Sequence, residues 1–187
     1  VDLTHLRTTN GTPTGTALIT VDASGENTIV IDHGANAHVT AAHVQDARVA
    51  IKPDIVLVQL EIPDEAVYAC CGHGTLVLDP APARNLEPEF LERVGLITPN
   101  EAETHALTGI VPLDEFAQRR AALALLEKGI RQVAITLGAQ GCYYTDGKSE
   151  LRIEAPGVDA IDTTAAGDAF AGALACFLAG GAEIDAA

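Results

Sequence analysis

The chain has 187 residues, 48% of them hydrophobic and 20% charged, with a formal net charge of −15. That composition is globular rather than disordered, and the length suits one sizeable core with no linker dividing it. The acidic balance argues against a nucleic acid or an anionic membrane as partner, because both need a basic face; it leaves ATP open, since backbone N–H groups and metal ions can hold phosphates.

Thr14 to Val21 alternates and is rich in β-branched residues, which predicts a strand. Asp22 to Glu26 is turn chemistry, and Asn27 to Ile31 predicts a second strand. Thr40 caps a helix running to about Val49. Asp54 to Leu60 is a continuous apolar run, as a buried parallel strand requires. Pro63-Asp64-Glu65 opens a helix that stops near Gly72. Thr75 to Leu78 is another buried strand, followed by Asp79-Pro80-Ala81-Pro82-Ala83-Arg84. A short helix over Glu89 to Arg93, a strand over Leu96 to Thr98 and a helix from Pro99-Asn100-Glu101 to Gly109 follow. A long helix spans Asp114 to Lys128. Gln132 to Leu137 is a strand, and Gly141 to Thr145 with Leu151 to Glu154 form a meander. Ala169 to Leu178 is apolar and small on every side, which predicts a buried helix ending at Gly180-Gly181.

Buried strand, helix and buried strand in alternation predict an α/β fold: one domain over 1–187, with a mainly parallel, doubly wound sheet and helices on both faces. Ligands of such sheets bind beyond the carboxyl ends of the strands. The residues just past each strand are Glu61, Asp79, Asn100 with Glu101 and Glu103, Gly138 to Gly141, and the loop from Asp162 to Asp168. All are polar or glycine, apart from small residues in the loops.

Each constellation has a structural reading beside its chemical one. The first-turn amides at Ala165, Ala166 and Gly167 could form an anion site, with the Asp168 carboxylate beside it as a base; alone, Asp168 reads equally as a residue favoured by the helix dipole. Asn100 and Glu103 could help hold Mg²⁺ through water, or form a capping box. Thr136-Leu137-Gly138-Ala139-Gln140-Gly141 could admit a nucleotide, or be a hairpin turn. Glu61 could accept sugar hydroxyls. Cys70, Cys71 and His73 read as structural, because adjacent cysteines on a helix face different ways and no second ligand pair has zinc spacing. The four cysteines have no disulfide-framework spacing and point to a reducing cytoplasm.

Asp-Thr-Thr-Ala-Ala-Gly-Asp-Ala-Phe-Ala-Gly-Ala-Leu at 162–174 resembles the C-terminal signature of the ribokinase-like carbohydrate kinases. Asn100-Glu101-Ala102-Glu103 is similar to that family's Asn-Glu-x-Glu motif, and Thr136 to Gly141 to its Thr-Leu-Gly-x-x-Gly nucleotide loop. Asp79 to Arg84 and Gly34-Ala35-Asn36 also match, so the resemblance covers nearly the whole chain in family order. It implies Mg-dependent transfer of the ATP γ-phosphoryl group to a sugar hydroxymethyl, D-ribose first, with another furanose, a nucleoside or a non-catalytic binding role as alternatives. Asp168 is then the base, and the Ala165, Ala166 and Gly167 amides the anion hole. Asn100, Thr136 to Gly141 (Thr136, Leu137, Gly138, Ala139, Gln140, Gly141) and Gly167 bind ATP. Glu61 and Asp168 touch the sugar, and Glu103 meets Mg²⁺ through water. Asp162 and Thr164 offer backbone oxygens to K⁺. The resemblance also implies a cytoplasmic homodimer when whole. Methionine is absent, and the family's opening strand, lid and sugar-gripping Gly-Gly loop have no match. These observations lead us to expect a chain truncated at both ends and inactive as a kinase by itself.

Overall fold

The computed structural model describes residues 2–21, 27–72, 74–158 and 162–184. The turn expected at 22–26, His73 and the stretch 159–161 lie outside the described residues. Strands β1 (Thr14–Val21) and β2 (Asn27–Gly34) pair antiparallel as a separate two-stranded ribbon, with Leu18 opposite Val30. The second strand runs past Ile31 to Gly34, whose N–H donates to Asp32 Oδ1 at 3.1 Å and whose φ of +48° turns the chain. Helix α1 (Ala41–Ile51) starts where expected: the Thr40 hydroxyl accepts from the His43 N–H at 3.3 Å.

The main sheet follows: β3 (Ile55–Val58), α2 (Asp64–Ala69), β4 (Thr75–Leu78), α3 (Pro88–Leu91), β5 (Val94–Ile97), α4 (Glu101–Thr108), α5 (Glu115–Leu126), β6 (Val133–Thr136), β7 (Cys142–Thr145), β8 (Glu150–Ile153) and α6 (Ala166–Ala179). The six strands lie in the order β3-β4-β5-β6-β7-β8, parallel through β6 and antiparallel for the last two pairs. The sheet is mainly parallel, as the apolar runs required, and the meander closes one edge. Because the order advances without reversal across these strands, the crossover helices share one face.

Two cores follow from the pleat, since alternate residues face opposite ways. Leu76, Leu78, Val133, Ile135 and Tyr143 pack against Val67 of α2, Phe90 of α3 and Leu125 of α5. Val77, Ala134, Cys142 and Tyr144 face Leu174, Phe170 and Leu178 of α6. A register shift between Leu76 and Val77 inserts one extra residue in β5, so that Val94 joins the first core and Leu96 the second. This bulge also explains why the strand starts two residues before the expected Leu96. Helix α6 corrects one expectation: only Ala171 and Leu174 are buried along it, and Phe177 is 54% exposed.

Candidate active site

The parallel strands end together, and their next residues form one rim. Beyond β3 comes Gln59, beyond β4 Asp79, beyond β5 Thr98-Pro99-Asn100, and beyond β6 the Leu137 to Gly141 turn. Hydrogen bonds lock these exits to each other: Asp79 N donates to Val58 O at 2.9 Å, Thr98 N to Leu78 O at 2.9 Å, and Thr136 N to Pro99 O at 2.9 Å. The N-terminus of α6 arrives at the same rim, where Gln59 Nε2 donates to Asp168 Oδ1 at 2.5 Å.

Carboxylates crowd this rim. Asp79 is 7% exposed; burial, reinforced by the Glu103 and Asp168 charges, pushes its carboxyl up to about 6, against hydrogen bonding from Gln59 and Ala81. Burial also raises Glu103. Asn100 and Glu103 form a reciprocal capping box, with Asn100 N to Glu103 Oε2 and Glu103 N to Asn100 Oδ1 both 2.9 Å. The structural reading of that pair is therefore real, and the cap is what presents Glu103 toward Asp79. Asp79 and Glu103 supply hard oxygen donors suited to Mg²⁺, and no Lys or Arg acts on either. Among the described residues no three His, Cys, Asp or Glu side chains cluster as direct ligands.

A cleft of about 510 Å³ opens beside these groups, lined by Asn100, Thr136, Gly138, Gly141, Ala166 and Gly167 among others. Six of the residues expected at ATP or at the anion hole thus share one wall. A side chain at Gly138 or Gly167 would meet nothing within 4 Å, which leaves room for a ligand against the backbone. Gly141 is different: with φ +91° its Cβ would collide with the Ile153 carbonyl, so it is needed to bring β8 against the turn. That turn also joins antiparallel β6 and β7, so the hairpin reading and the cleft coexist. Leu137 is turned into the core and 5% exposed, and Ala139 and Gln140 are exposed outside the walls.

At the start of α6, Ala165 is a left-handed cap with φ +62°. Ala166 N donates to Thr163 O at 3.1 Å, and Asp162 Oδ1 accepts from Thr164 N at 2.8 Å. The Asp162 carboxyl is held below its ordinary value by those bonds from Thr164. Glu61 lines a separate cavity of about 280 Å³ with His33, Ala37 and Arg84. Arg84 shapes this corner by donating to Leu60 O, to Ile62 O at 3.1 Å and to Asp64 Oδ1 at 2.7 Å. Cys70 is buried with its thiol pushed up to about 11 by burial, as a structural thiol would be.

A carboxylate at a helix N-terminus, a glycine-floored cleft, and the buried Asp79 beside the half-buried Glu103 form a layout suited to phosphoryl transfer. Comparison with known proteins agrees: the family model described as pfkB family carbohydrate kinase matches residues 1–187. The chain belongs to the pfkB family of carbohydrate kinases. This pfkB-family chain is 43% identical to the ribokinase of Staphylococcus aureus over 180 residues, covering 93% of itself and 59% of that relative. Among solved structures it resembles ribokinase from Thermotoga maritima (TM-score 0.80, 36% identity, 93% of this chain and 59% of that one). It also resembles Arabidopsis thaliana ribokinase complexed with ribose and ATP (TM-score 0.75, 27% identity, 94% and 60%). The chain therefore spans about three-fifths of the length of the relatives it matches.

Two residues of this rim went unread as chemistry in the sequence. Asp79 reads as the head of a structural Pro-Ala-Pro run, and nothing local reveals its burial. Gln59 carries no motif; the expected strand ran through it to Leu60, whereas β3 ends at Val58, and the signal in the sequence was a lone polar residue in an apolar run.

Proposed function

We propose that the whole kinase transfers the γ-phosphoryl group of ATP to a sugar hydroxymethyl oxygen, converting D-ribose to ribose 5-phosphate. One observation carries this reading: Asp168 stands at the N-terminus of α6 while Ala166 and Gly167, just before it, line the same cleft as Asn100, Thr136, Gly138 and Gly141. The sugar hydroxyl gives its proton to the Asp168 carboxylate, its oxygen bonds to the γ-phosphorus, and the bond to the β-phosphate oxygen breaks to release ADP. The amides at Ala165 and Gly167 stabilise charge on the phosphoryl oxygens, whereas the Ala166 amide, expected beside them, is taken by Thr163 O. The ribose and ATP complex of the Arabidopsis relative supports the choice of substrates.

Glu61 accepts hydroxyls of the sugar. Asn100, Thr136, Gly138 and Gly141, with the backbone of Leu137, Ala139 and Gln140, hold the nucleotide. Glu103, through water, holds Mg²⁺, which supplies neutralisation of phosphate charge. The backbone oxygens of Asp162 and Thr164 hold K⁺. Residues 1–187 belong to one ribokinase-like α/β domain, and the enzyme acts as a cytoplasmic homodimer. Exposed Leu18 (67%) and Val30 (61%), opposite each other on the ribbon, and four free cysteines support the dimer and the reducing compartment. Among the described residues no helix is long and apolar enough to cross a membrane.

The test is an ADP-release assay on the whole kinase with D-ribose, D-fructose, 2-deoxyribose and adenosine, followed by ³¹P NMR of the product. We expect the highest kcat/KM with D-ribose and a phosphomonoester on its C5 oxygen. Turnover with adenosine and none with ribose would replace the reading with a nucleoside kinase.

A further inference from the structure

The Gln59 amide has no part in the reaction just described. It stands half-buried, one residue beyond β3, and meets Asp168 across 109 positions of sequence at 2.5 Å. Its own footing is firm. Val58 before it is buried, Leu60 after it is fully buried, and Leu60 N donates to Ala81 O at 2.9 Å. Asp168, by contrast, is exposed on the first turn of α6. The terminal torsion of an aspartate is broad and two-fold, so an exposed carboxylate that nothing holds samples many orientations.

We propose that Gln59 is a positioning residue for the base: its amide holds the Asp168 carboxylate by Oδ1 and leaves Oδ2 to receive the proton of the sugar hydroxyl. This rests on the reading of Asp168 as the base. The chemistry of the donor matters. A charged lysine or arginine would hold the carboxylate as firmly but would draw down its proton affinity, weakening it as a base. A neutral amide fixes the orientation with less of that effect. The neighbouring Asp79, which also feels the Gln59 amide, makes a donor here the more necessary, since an acceptor would add to a cluster of negative groups.

The test is steady-state kinetics of the whole kinase carrying Gln59→Leu, Gln59→Glu, Asp168→Asn, and Gln59→Leu with Asp168→Asn together. Misorientation of a reacting group by about 1 Å lowers rates by roughly a hundredfold, so Gln59→Leu should lower kcat by about 10–100-fold. KM for sugar and for ATP should stay within about twofold, because ground-state binding is not what is lost. Gln59→Glu keeps the size but sets acceptor against acceptor, and should lower kcat further than Gln59→Leu. In the double variant, Gln59→Leu should add no more than about twofold to the loss from Asp168→Asn, because residues that act as a unit are not additive. Should Gln59→Glu fail to fold, Gln59→Asn takes its place: its shorter amide falls away from Asp168 and should match Gln59→Leu. Higher activity in Gln59→Glu than in Gln59→Leu, or wild-type turnover in Gln59→Asn, overturns the inference. So do losses that multiply in the double variant while Asp168→Asn alone is severe, and in that case the base reading stands. Near-normal turnover of Asp168→Asn overturns both.

Discussion

Asp79, like Glu103, is a carboxylate whose surroundings oppose its charge. Burial is the main cause, with Glu103 and Asp168 adding repulsion, and the carboxyl moves from 3.8 up to about 6. Between those values the folded state binds a proton that the unfolded chain has released. Stability contributed here is therefore lost as pH rises through that window and is lowest above about pH 6. Asp79→Asn removes the charge and keeps the shape. At about pH 7.5, without divalent metal, it should stabilise the chain by about 1 kcal/mol, because each tenfold change in proton affinity is worth roughly 1.4 kcal/mol and partial solvation screens much of it. Toward about pH 4 the gap should shrink to a small fraction, since the folded Asp79 is then neutral and only the partly ionised unfolded chain still differs. Urea unfolding in EDTA at the two pH values checks this; a destabilised variant at the higher pH would contradict the charge account. None of this was legible beforehand. The carboxylate was visible as a residue past a strand, but the two neighbours that raise it come from positions 103 and 168.

At the level of elements, the strands easiest to read are the continuous apolar runs Ile55 to Val58 and Thr75 to Leu78. In β4 the run reflects burial of Leu76, Val77 and Leu78, whereas β3 lies at the sheet edge with Leu57 40% exposed, so its apolar run overstated its burial. The start of β5 was harder, because Gly95 sits where the bulge shifts the register and breaks the run. Helix α6 was misjudged for the opposite reason: composition shows that a helix is apolar all round, not which side is covered. Its first turn carries the next prediction. Ala165 holds a left-handed φ of +62°, which disfavours a non-glycine residue by roughly 1–2 kcal/mol. Yet this geometry opens the turn that brings Ala166 and Gly167 to the cleft. K⁺ on the backbone oxygens of Asp162 and Thr164 would hold it. Turnover of the whole kinase should then be higher in K⁺ than in an equal concentration of tetramethylammonium, and Ala165→Gly should weaken that dependence. Equal rates in both salts would remove the cation from the account.

Across the whole molecule, the arrangement follows from one topological fact: parallel strands end on the same side. Asn100, Thr136 and Gly167 are far apart in sequence, and their meeting at one cleft was legible because each stands at a strand end or a helix start. What was not legible is how the rim divides. Asn100, Thr136, Gly138, Gly141, Ala166 and Gly167 share the large cleft, whereas Glu61 lines a separate cavity next to Arg84. Gln59 spans the distance between strand β3 and helix α6, a link that no local pattern could announce. The central claim is that Asp168, at the start of α6, is the base. Its most direct measurement is the turnover of Asp168→Asn in the whole kinase, with ATP affinity determined on the same protein by equilibrium binding. The account predicts a kcat lower by about 10²–10⁴-fold, the usual worth of a positioned base, with ATP binding little changed; near-normal turnover with intact ATP binding would contradict it.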